Sequence, residues 1–278
     1  MTNETLNTIT LDRHSRVAVI ALNRPQVMNA INLQMRAELR TTLDALRHDA
    51  GIGAVVLTAN GDKAFCAGMD LREFASLNAE LPVSELKRFR WEQSEGIAAF
   101  DKPIIAAVNG MALGGGVEIA LLCDLIFAAE HASFAFAEIR RGIMPGNGGT
   151  QRLSRRVGIA RALEMILTGG TYDAAAAERF GLVNGVFEPA ELTAKVRAVA
   201  AGLLSKGPIA LALAEAMAAN APVAVRTAKA AVRRGAELPL EQGIRLEQDL
   251  AAFLYTTEDA KEGPSAFLEK RPPVWQGR

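Results

Sequence analysis

The sequence has little cysteine, no net charge and no long hydrophobic run. Only two of the 278 residues are cysteine, Cys66 and Cys123, and neither lies in a Cys-x-x-Cys pair or a Cys/His cluster. Two cysteines cannot form a disulfide framework, and their spacing is not that of a zinc site. We therefore expect no metal, two small buried thiols and a reducing compartment.

The absence of a charge excess narrows the range of partners. Lys and Arg together number 31, and so do Asp and Glu, so the formal net charge is zero. A basic excess is what draws many proteins to nucleic acid or to an anionic membrane surface. We expect neither partner, although a local basic patch for a phosphate would not be visible in the total.

The absence of long hydrophobic runs indicates where in the cell the protein is located. No apolar run reaches the ~20 residues of a membrane span. The first sixteen residues, MTNETLNTITLDRHSR, contain no apolar stretch typical of a signal peptide, and Glu4 and Asp12 argue against a transit peptide. The sequence therefore predicts a cytoplasmic protein.

What the sequence does contain is an alternation of strands and helices. Half of the residues are hydrophobic, enough for one large domain. Apolar runs at 17–22, 54–57, 103–108 and 124–129 predict buried strands, whereas 33–47 has helical spacing and 117–122 predicts a buried helix. This order is typical of an α/β fold.

The composition changes at Gly207-Pro208. From there to about Gly263 the chain is rich in Ala, Leu, Glu and Arg and has few strand formers. We expect a core over residues 1–206 and a helical C-terminal region over 207–278 that packs on a partner subunit.

The first segment that indicates chemistry is Ala64–Leu71, AFCAGMDL. A glycine after a strand allows unusual backbone dihedrals and close approach to a ligand, so such a loop can direct N–H groups at an oxygen. The alternative is an ordinary turn between a strand and a helix.

The second segment runs from Asn109 to Glu118 and contains three consecutive glycines at a helix start. The N–H groups and dipole of a helix N-terminus suit an oxyanion or a phosphate. The segment lacks the Lys-Ser/Thr of a P-loop and the spacing of a dinucleotide fingerprint. The alternative is tight packing, but Glu118, one turn after Gly115 and among apolar neighbours, favours a site.

The third segment places Glu138 in an apolar run, FAFAEI, before a glycine-rich loop at 142–150. The alternative is a surface strand with Glu138 facing water. Together the segments supply two N–H donors and two acid/base carboxylates, a set able to stabilise a thioester enolate and to move protons beside it. The sequence does not show that the three segments meet.

These motifs resemble those of a known family. AFCAGMDL, KPIIAAVNGMALGGGVEIALLCDLIFAAE and AEIRRGIMPGNGGTQRL, with LNRPQVMNAIN near the start and EDAKEGPSAFLEKRPPVW near the end, are similar to the crotonase (enoyl-CoA hydratase/isomerase) superfamily. The resemblance implies a spiral of ββα units with a helical C-terminal region. It also implies homo-trimers or hexamers (dimers of trimers) and an acyl-CoA thioester as substrate without a further cofactor.

The resemblance assigns roles to five residues. The backbone N–H groups of Met69 and Gly115 match the oxyanion hole, Glu118 and Glu138 match the two hydratase glutamates, and Gly146 matches a glycine that helps hold the water. The implied reaction is addition of water across the 2,3-double bond of a trans-2-enoyl-CoA. Glu118 would activate the water and Glu138 would supply the proton, although this division could be shared. Two nearby carboxylates are expected to titrate as a pair, with one protonated near neutral pH.

The resemblance also implies contacts with coenzyme A. Arg72 falls where a family lysine lies near a phosphate, and two C-terminal residues match ones that reach a neighbouring subunit's ligand; for Arg72 and Lys270 a solvated surface charge is the alternative. The predicted CoA-binding residues are Gln26, Val27, Ala30, Ala67, Gly68, Asp70, Leu71, Arg72, Gly114, Phe267 and Lys270.

Three departures from the family pattern surround the acyl-chain side of the pocket. Ala137 stands where proline is common, Arg140-Arg141 is more basic than usual, and Phe134-x-Phe136 replaces a Phe-Gly start. They leave acyl chain length open. The alternatives are another crotonase-type reaction (isomerase, dehydratase or hydrolase) and a non-catalytic acyl-CoA- or RNA-binding homologue, which the two retained glutamates and the zero net charge disfavour.

Overall fold

The structure, a computed structural model, describes residues 6–70, 72–73, 82, 96–188 and 217–278. Its strands are β1 (Ile9–His14), β2 (Val17–Leu22), β3 (Ala54–Ala59), β4 (Ala64–Cys66), β5 (Ile104–Val108), β6 (Met111–Leu113), β7 (Leu125–Ala129), β8 (Ser133–Ala135), β9 (Thr171–Asp173) and β10 (Gly185–Phe187). Its helices are α1 (Leu33–His48), α2 (Gly115–Ala120), α3 (Gly149–Val157), α4 (Ile159–Thr168), α5 (Ala174–Arg179), α6 (Pro222–Gly235), α7 (Leu240–Leu254) and α8 (Glu258–Leu268). Two 3₁₀ turns cover Pro25–Val27 and Ala137–Arg141.

The strands form two sheets between which the chain alternates. One sheet has the order β1-β2-β3-β5-β7-β10 and the other β4-β6-β8-β9. The β1–β2 and β8–β9 pairs are antiparallel, and the remaining pairs are parallel. Successive pairs β3–β4, β5–β6 and β7–β8 each add one strand to each sheet. The predicted spiral of ββα units is therefore confirmed.

The sequence pattern explains the core. Strands β2, β3 and β5 are buried along their whole length, as expected of parallel strands covered on both faces. Helix α1 buries the stripe of Met35, Leu39, Leu43 and Leu46, and the Asn32 side chain caps its start by accepting a hydrogen bond from the N–H of Met35.

Polar contacts join helix α6 to the core, and several of them meet at Asp124. Asp124 forms ion pairs of 2.8 Å with both Lys229 and Arg233 of α6. Lys229 also donates to the carbonyls of Phe100 and Lys102 at 2.7 and 2.6 Å. These contacts fix α6 against the first sheet. The predicted boundary at 206/207 lies outside the described residues.

Local differences from the sequence prediction have simple causes. The start of the first glycine-containing segment, Ala64–Cys66, forms strand β4 because it pairs with a distant strand, β6. Helix α2 begins at Gly115 rather than at 117. Glu138 lies on a 3₁₀ turn and not on a strand. The two thiols are free and buried as predicted, and burial raises the pKa of Cys66 and of Cys123 to about 12. Within the described ranges, no helix is long and apolar enough to cross a bilayer.

Candidate active site

Three adjacent strands bring the three glycine-containing segments together. Strands β4, β6 and β8 are parallel neighbours, with Cys66 paired to Ala112 and Ala112 paired to Phe134. Carboxyl ends of parallel strands lie at the same edge of a sheet, the usual place for ligands in α/β folds. The segments that follow these strands, 67–70, 114–118 and 136–138, therefore meet at one edge.

Two backbone N–H groups lie side by side at this edge. Ile31 forms a parallel bridge with Met69 that uses the carbonyl of Gly68 (2.8 Å) and the N–H of Asp70 (2.9 Å), which leaves the N–H of Met69 on the opposite side of the chain. Gly115 is the first residue of α2, where N–H groups have no acceptor within the helix. A Cβ atom on Gly115 would lie 3.5 Å from the Met69 nitrogen.

The glycines at the start of α2 are needed for close packing as well. A Cβ atom on Gly116 would lie 2.1 Å from the carbonyl oxygen of Cys66, a distance no side chain can occupy. A Cβ atom on Gly68 would lie 2.9 Å from the carbonyl oxygen of Leu113. Tight packing, the alternative interpretation of the triple glycine, therefore holds for Gly116, and the anion site at Gly115 stays a prediction.

Glu118 is almost completely enclosed on α2, with 3% of its surface exposed. Its Oε1 accepts hydrogen bonds from the N–H groups of Asn147 (2.7 Å) and Gly149 (2.9 Å), and its Oε2 accepts one from Nδ2 of Asn147 (3.2 Å). These three hydrogen bonds fix the orientation of the carboxyl group.

Glu138 has the opposite environment. Burial raises the pKa of Glu138; the charge of Glu118 acts in the same direction, and that of Arg141 opposes it. Among the described residues, no hydrogen-bond donor reaches the buried Oε2 atom of Glu138. Its Oε1 packs against Gly114, where a Cβ atom would come within 2.5 Å of it. Glu138 is therefore suited to hold a proton.

One cavity connects these groups. Its lining includes all five residues that the sequence predicted for the reaction, and three of those predicted for CoA: Met69, Gly115, Glu118, Glu138 and Gly146, with Ala67, Gly68 and Gly114. Arg141, which was predicted from the sequence to lie near the acyl-chain side of the pocket, lines it as well. Ile143, Met144 and Asn147 also line it and were not predicted. The signal for Asn147 was present, since it lies in the quoted loop Pro145–Gly149, but only the fold shows that this loop folds back onto Glu118.

The predicted CoA-binding residues near the N-terminus lie apart from this lining. Gln26 and Val27 are exposed on the first 3₁₀ turn. The carbonyl of Ala30 accepts a hydrogen bond of 2.6 Å from Arg24, and the carboxylate of Asp70 pairs with the same arginine at 3.2 Å. Arg24 thus ties the segment that follows β4 to the turn at 25–27.

Four residues that were predicted to bind CoA remain: Leu71, Arg72, Phe267 and Lys270. Arg72 is exposed, and its N–H donates to Asp70 at 3.2 Å. Leu71 lies outside the described residues. The backbone of Phe267 lies on α8, and the exposed Lys270 follows that helix with a φ of 56°. In the described part of the chain, no group of three or more His, Cys, Asp or Glu residues is placed to hold a metal ion.

The sequence of this chain is similar to those of known hydratases. Residues 12–278 match the family described as enoyl-CoA hydratase/isomerase. The chain is 41% identical to the 2,3-dehydroadipyl-CoA hydratase of Escherichia coli (strain K12), over 98% of this chain and 100% of that protein. It is 38% identical to the crotonyl-CoA hydratase of Syntrophomonas wolfei, over 95% of each.

Solved structures of enoyl-CoA hydratases have the same fold as this chain. The crystal structure of an enoyl-CoA hydratase from Bacillus anthracis superposes with a TM-score of 0.86 at 36% identity, covering 98% of this chain and 100% of that one. An enoyl-CoA hydratase structure from Geobacillus kaustophilus gives the same TM-score, 0.86, at 38% identity and 99% coverage of this chain. The predicted resemblance is confirmed, and the chain belongs to the enoyl-CoA hydratase/isomerase family.

Proposed function

We propose that this protein adds water across the 2,3-double bond of a trans-2-enoyl-CoA. The observation that carries the proposal is the single cavity shared by two adjacent N–H groups, of Met69 and Gly115, and two carboxyl groups in contrasting environments, of Glu118 and Glu138. The protein is an enzyme of the lyase class, like the hydratases to which it is similar. The proposal concerns its reaction and the residues that perform it.

The first step is polarisation of the thioester. Its carbonyl oxygen would accept hydrogen bonds from the N–H groups of Met69 and Gly115, which draws electron density from the conjugated double bond and makes C3 electrophilic. Donors that are held in place stabilise the enolate oxygen more than the neutral carbonyl, so they lower the barrier.

The second step moves two protons. Glu118 takes a proton from water as the water oxygen bonds to C3, and protonated Glu138 gives its proton to C2 of the enolate. The product is a 3-hydroxyacyl-CoA. Transfer of the proton from Glu118 back to Glu138 through solvent restores the starting state, so the net change is the addition of one water. The raised pKa of Glu138 suits the acid role.

The substrate follows from the family and the cavity. Relatives carry the names crotonyl-CoA hydratase and short-chain-enoyl-CoA hydratase, so we propose a short trans-2-enoyl-CoA as the first substrate to test. The proposed chemistry is acid–base throughout and calls for no cofactor or metal beyond the CoA thioester. The CoA contacts at the N-terminal turn and the C-terminus, the cytoplasmic location and the absence of nucleic-acid and membrane partners stay predictions.

We also propose that the chain forms a homo-trimer or a hexamer. Helix α4 exposes an apolar stripe of Ile159, Leu163 and Leu167, spaced four residues apart on one face. Large apolar side chains are exposed on the C-terminal helices too: Val232, Ile244, Phe253 and Leu268. Exposed apolar stripes of this kind are typical of subunit interfaces.

The test is spectrophotometric. Loss of the conjugated-thioester absorbance of crotonyl-CoA is followed with the wild-type protein and with Glu118→Ala and Glu138→Ala. We expect rapid loss with the wild type and a fall in kcat of about 10²–10⁴-fold in each variant, the usual contribution of a general acid or base. The wild-type rate should also fall on the alkaline side, where Glu138 loses its proton. Full activity in either variant would remove that glutamate from the mechanism.

A further inference from the structure

Asn147 is held next to Glu118 by its side chain as well as by its backbone. The peptide N–H of Asn147 and that of Gly149 both donate to Oε1 of Glu118, at 2.7 and 2.9 Å. The side-chain amide of Asn147 donates to the other oxygen, Oε2, at 3.2 Å. Removal of the side chain alone would leave the two backbone donors in place and take away the described donor to Oε2.

The loop that carries Asn147 is supported from behind. Arg152 of α3 donates from Nη1 to the carbonyl oxygen of Asn147 at 3.0 Å. Gly148 has a φ of +94°, in the left-handed region that favours glycine, and a Cβ atom there would lie 1.8 Å from the same Nη1 atom, so a side chain would displace the Arg152 guanidinium. The position of Asn147 is thus determined by the fold and not by Glu118 alone.

Two buried oxygens of the cavity have no donor among the described residues. They are Oδ1 of Asn147 and Oε2 of Glu138. Buried acceptors are almost always hydrogen-bonded, so an orphaned one in a cavity indicates a partner that is supplied by a ligand or by water. Both residues line the cavity that also contains the N–H groups of Met69 and Gly115.

We propose that the side chain of Asn147 acts together with Glu118 on the reacting water: its amide N–H holds Oε2 of Glu118, and its Oδ1 accepts one hydrogen bond from the water. This inference rests on the proposed hydration. The water gives one proton to Glu118, and its other O–H points at Oδ1, so a lone pair faces C3. The proton goes to Glu118 and the hydroxyl to C3, so the amide is unchanged and then accepts a hydrogen bond from the product hydroxyl.

The charges around Glu118 stay constant when Asn147 is replaced by a neutral residue. Glu138 and Arg141 face the pair from the 3₁₀ turn at Ala137–Arg141, and Arg152 faces it from α3, with Arg233 and Glu237 beyond Arg152. The substitution therefore removes hydrogen bonds to Glu118 and to the water and leaves the surrounding charges unchanged. A fall in kcat without a matching rise in KM would report the loss of those bonds.

The experiment measures kcat and KM with crotonyl-CoA, together with the melting temperature, for the wild type, Asn147→Ala and Asn147→Asp. We expect Asn147→Ala to lose about 10–100-fold in kcat, the usual effect of one hydrogen bond to a charged group, with little change in KM. Asn147→Asp keeps the size of the side chain but places a carboxylate against Oε2, and it should lose more than Asn147→Ala at neutral pH.

The matched control is Asn184→Ala. Asn184 accepts hydrogen bonds from the N–H of Ile126 (2.9 Å) and from Arg156 (2.7 Å), so it is a structural asparagine. This control should lower the melting temperature and leave kcat close to that of the wild type. Wild-type kcat in a folded Asn147→Ala, with an active wild type, would overturn the role of Asn147 alone. An inactive wild type would instead reject the proposed hydration on which it rests.

Discussion

Replacement of Gly115 by proline removes one donor of the proposed oxyanion hole without removing a bond of the helix. Gly115 is the first residue of α2, its N–H has no acceptor within the helix, and its φ is not positive, in contrast to that of Gly114 (+50°). Proline is well tolerated at this first helical position because its missing N–H is not used there and its fixed φ suits the helix.

The expected fall in kcat follows from the loss of a single hydrogen-bond donor. Removal of one oxyanion-hole donor costs about 10²–10³-fold in kcat, or about 2.7–4 kcal/mol. Gly115→Ala is the matched control, because it keeps the N–H. Its Cβ atom would lie 3.4 Å from Cα of Gly68 and 3.5 Å from the nitrogen of Met69, ordinary contact distances. We expect this control to stay within about tenfold of the wild type, a loss below that of a single donor.

The assay is kcat and KM with crotonyl-CoA for both variants, together with their melting temperatures. A large fall in kcat for Gly115→Pro, with a melting temperature close to that of Gly115→Ala, would support the role of this N–H. Equal kcat values in the two folded variants would refute it, because the N–H is the hydrogen-bonding group in which they differ.

Two further predictions concern packing and assembly. Gly116→Ala should destabilise the fold by about 1–3 kcal/mol or more, because its Cβ atom would lie 2.1 Å from the backbone oxygen of Cys66. Gly96→Ala, where a Cβ atom would meet no atom of the described residues within 4 Å, is its control in thermal unfolding; equal melting temperatures for the two variants would contradict the packing argument. In sedimentation experiments at micromolar concentration we expect a trimer or a hexamer, because α4 exposes its apolar stripe, and a monomer would contradict this.

Much of the fold and part of the site could be predicted from local patterns. The apolar runs predicted β2, β3, β5 and β7 to within a few residues, because parallel strands buried on both faces are apolar throughout. The short strands β4, β6 and β8 escaped this reasoning, since three residues are too few to show a period. These three strands are the ones that position the candidate site.

Some site residues could be predicted from the sequence, whereas others were found only in the structure. Glu118 and Glu138 stood out in the sequence because a carboxylate among apolar neighbours is unusual. Asn147 did not stand out, because an asparagine between glycines is typical of any turn. Its contact with Glu118 spans 29 residues and depends on how α3 packs against α2. Asp70 was predicted to contact CoA, and the structure shows its carboxylate paired with Arg24.

The sequence by itself determined the family, the α/β spiral and the two glutamates, because these depend on ordered motifs and local periodicity. The tertiary structure decided which groups share a cavity. Strand order in the second sheet brings Met69 beside Gly115, and the loop before α3 surrounds Glu118 with donors while Glu138 is left with an orphaned oxygen. Burial and hydrogen-bond partners depend on neighbours that are distant in the chain. The contrast between the two carboxyl groups therefore arises only when the chain is folded.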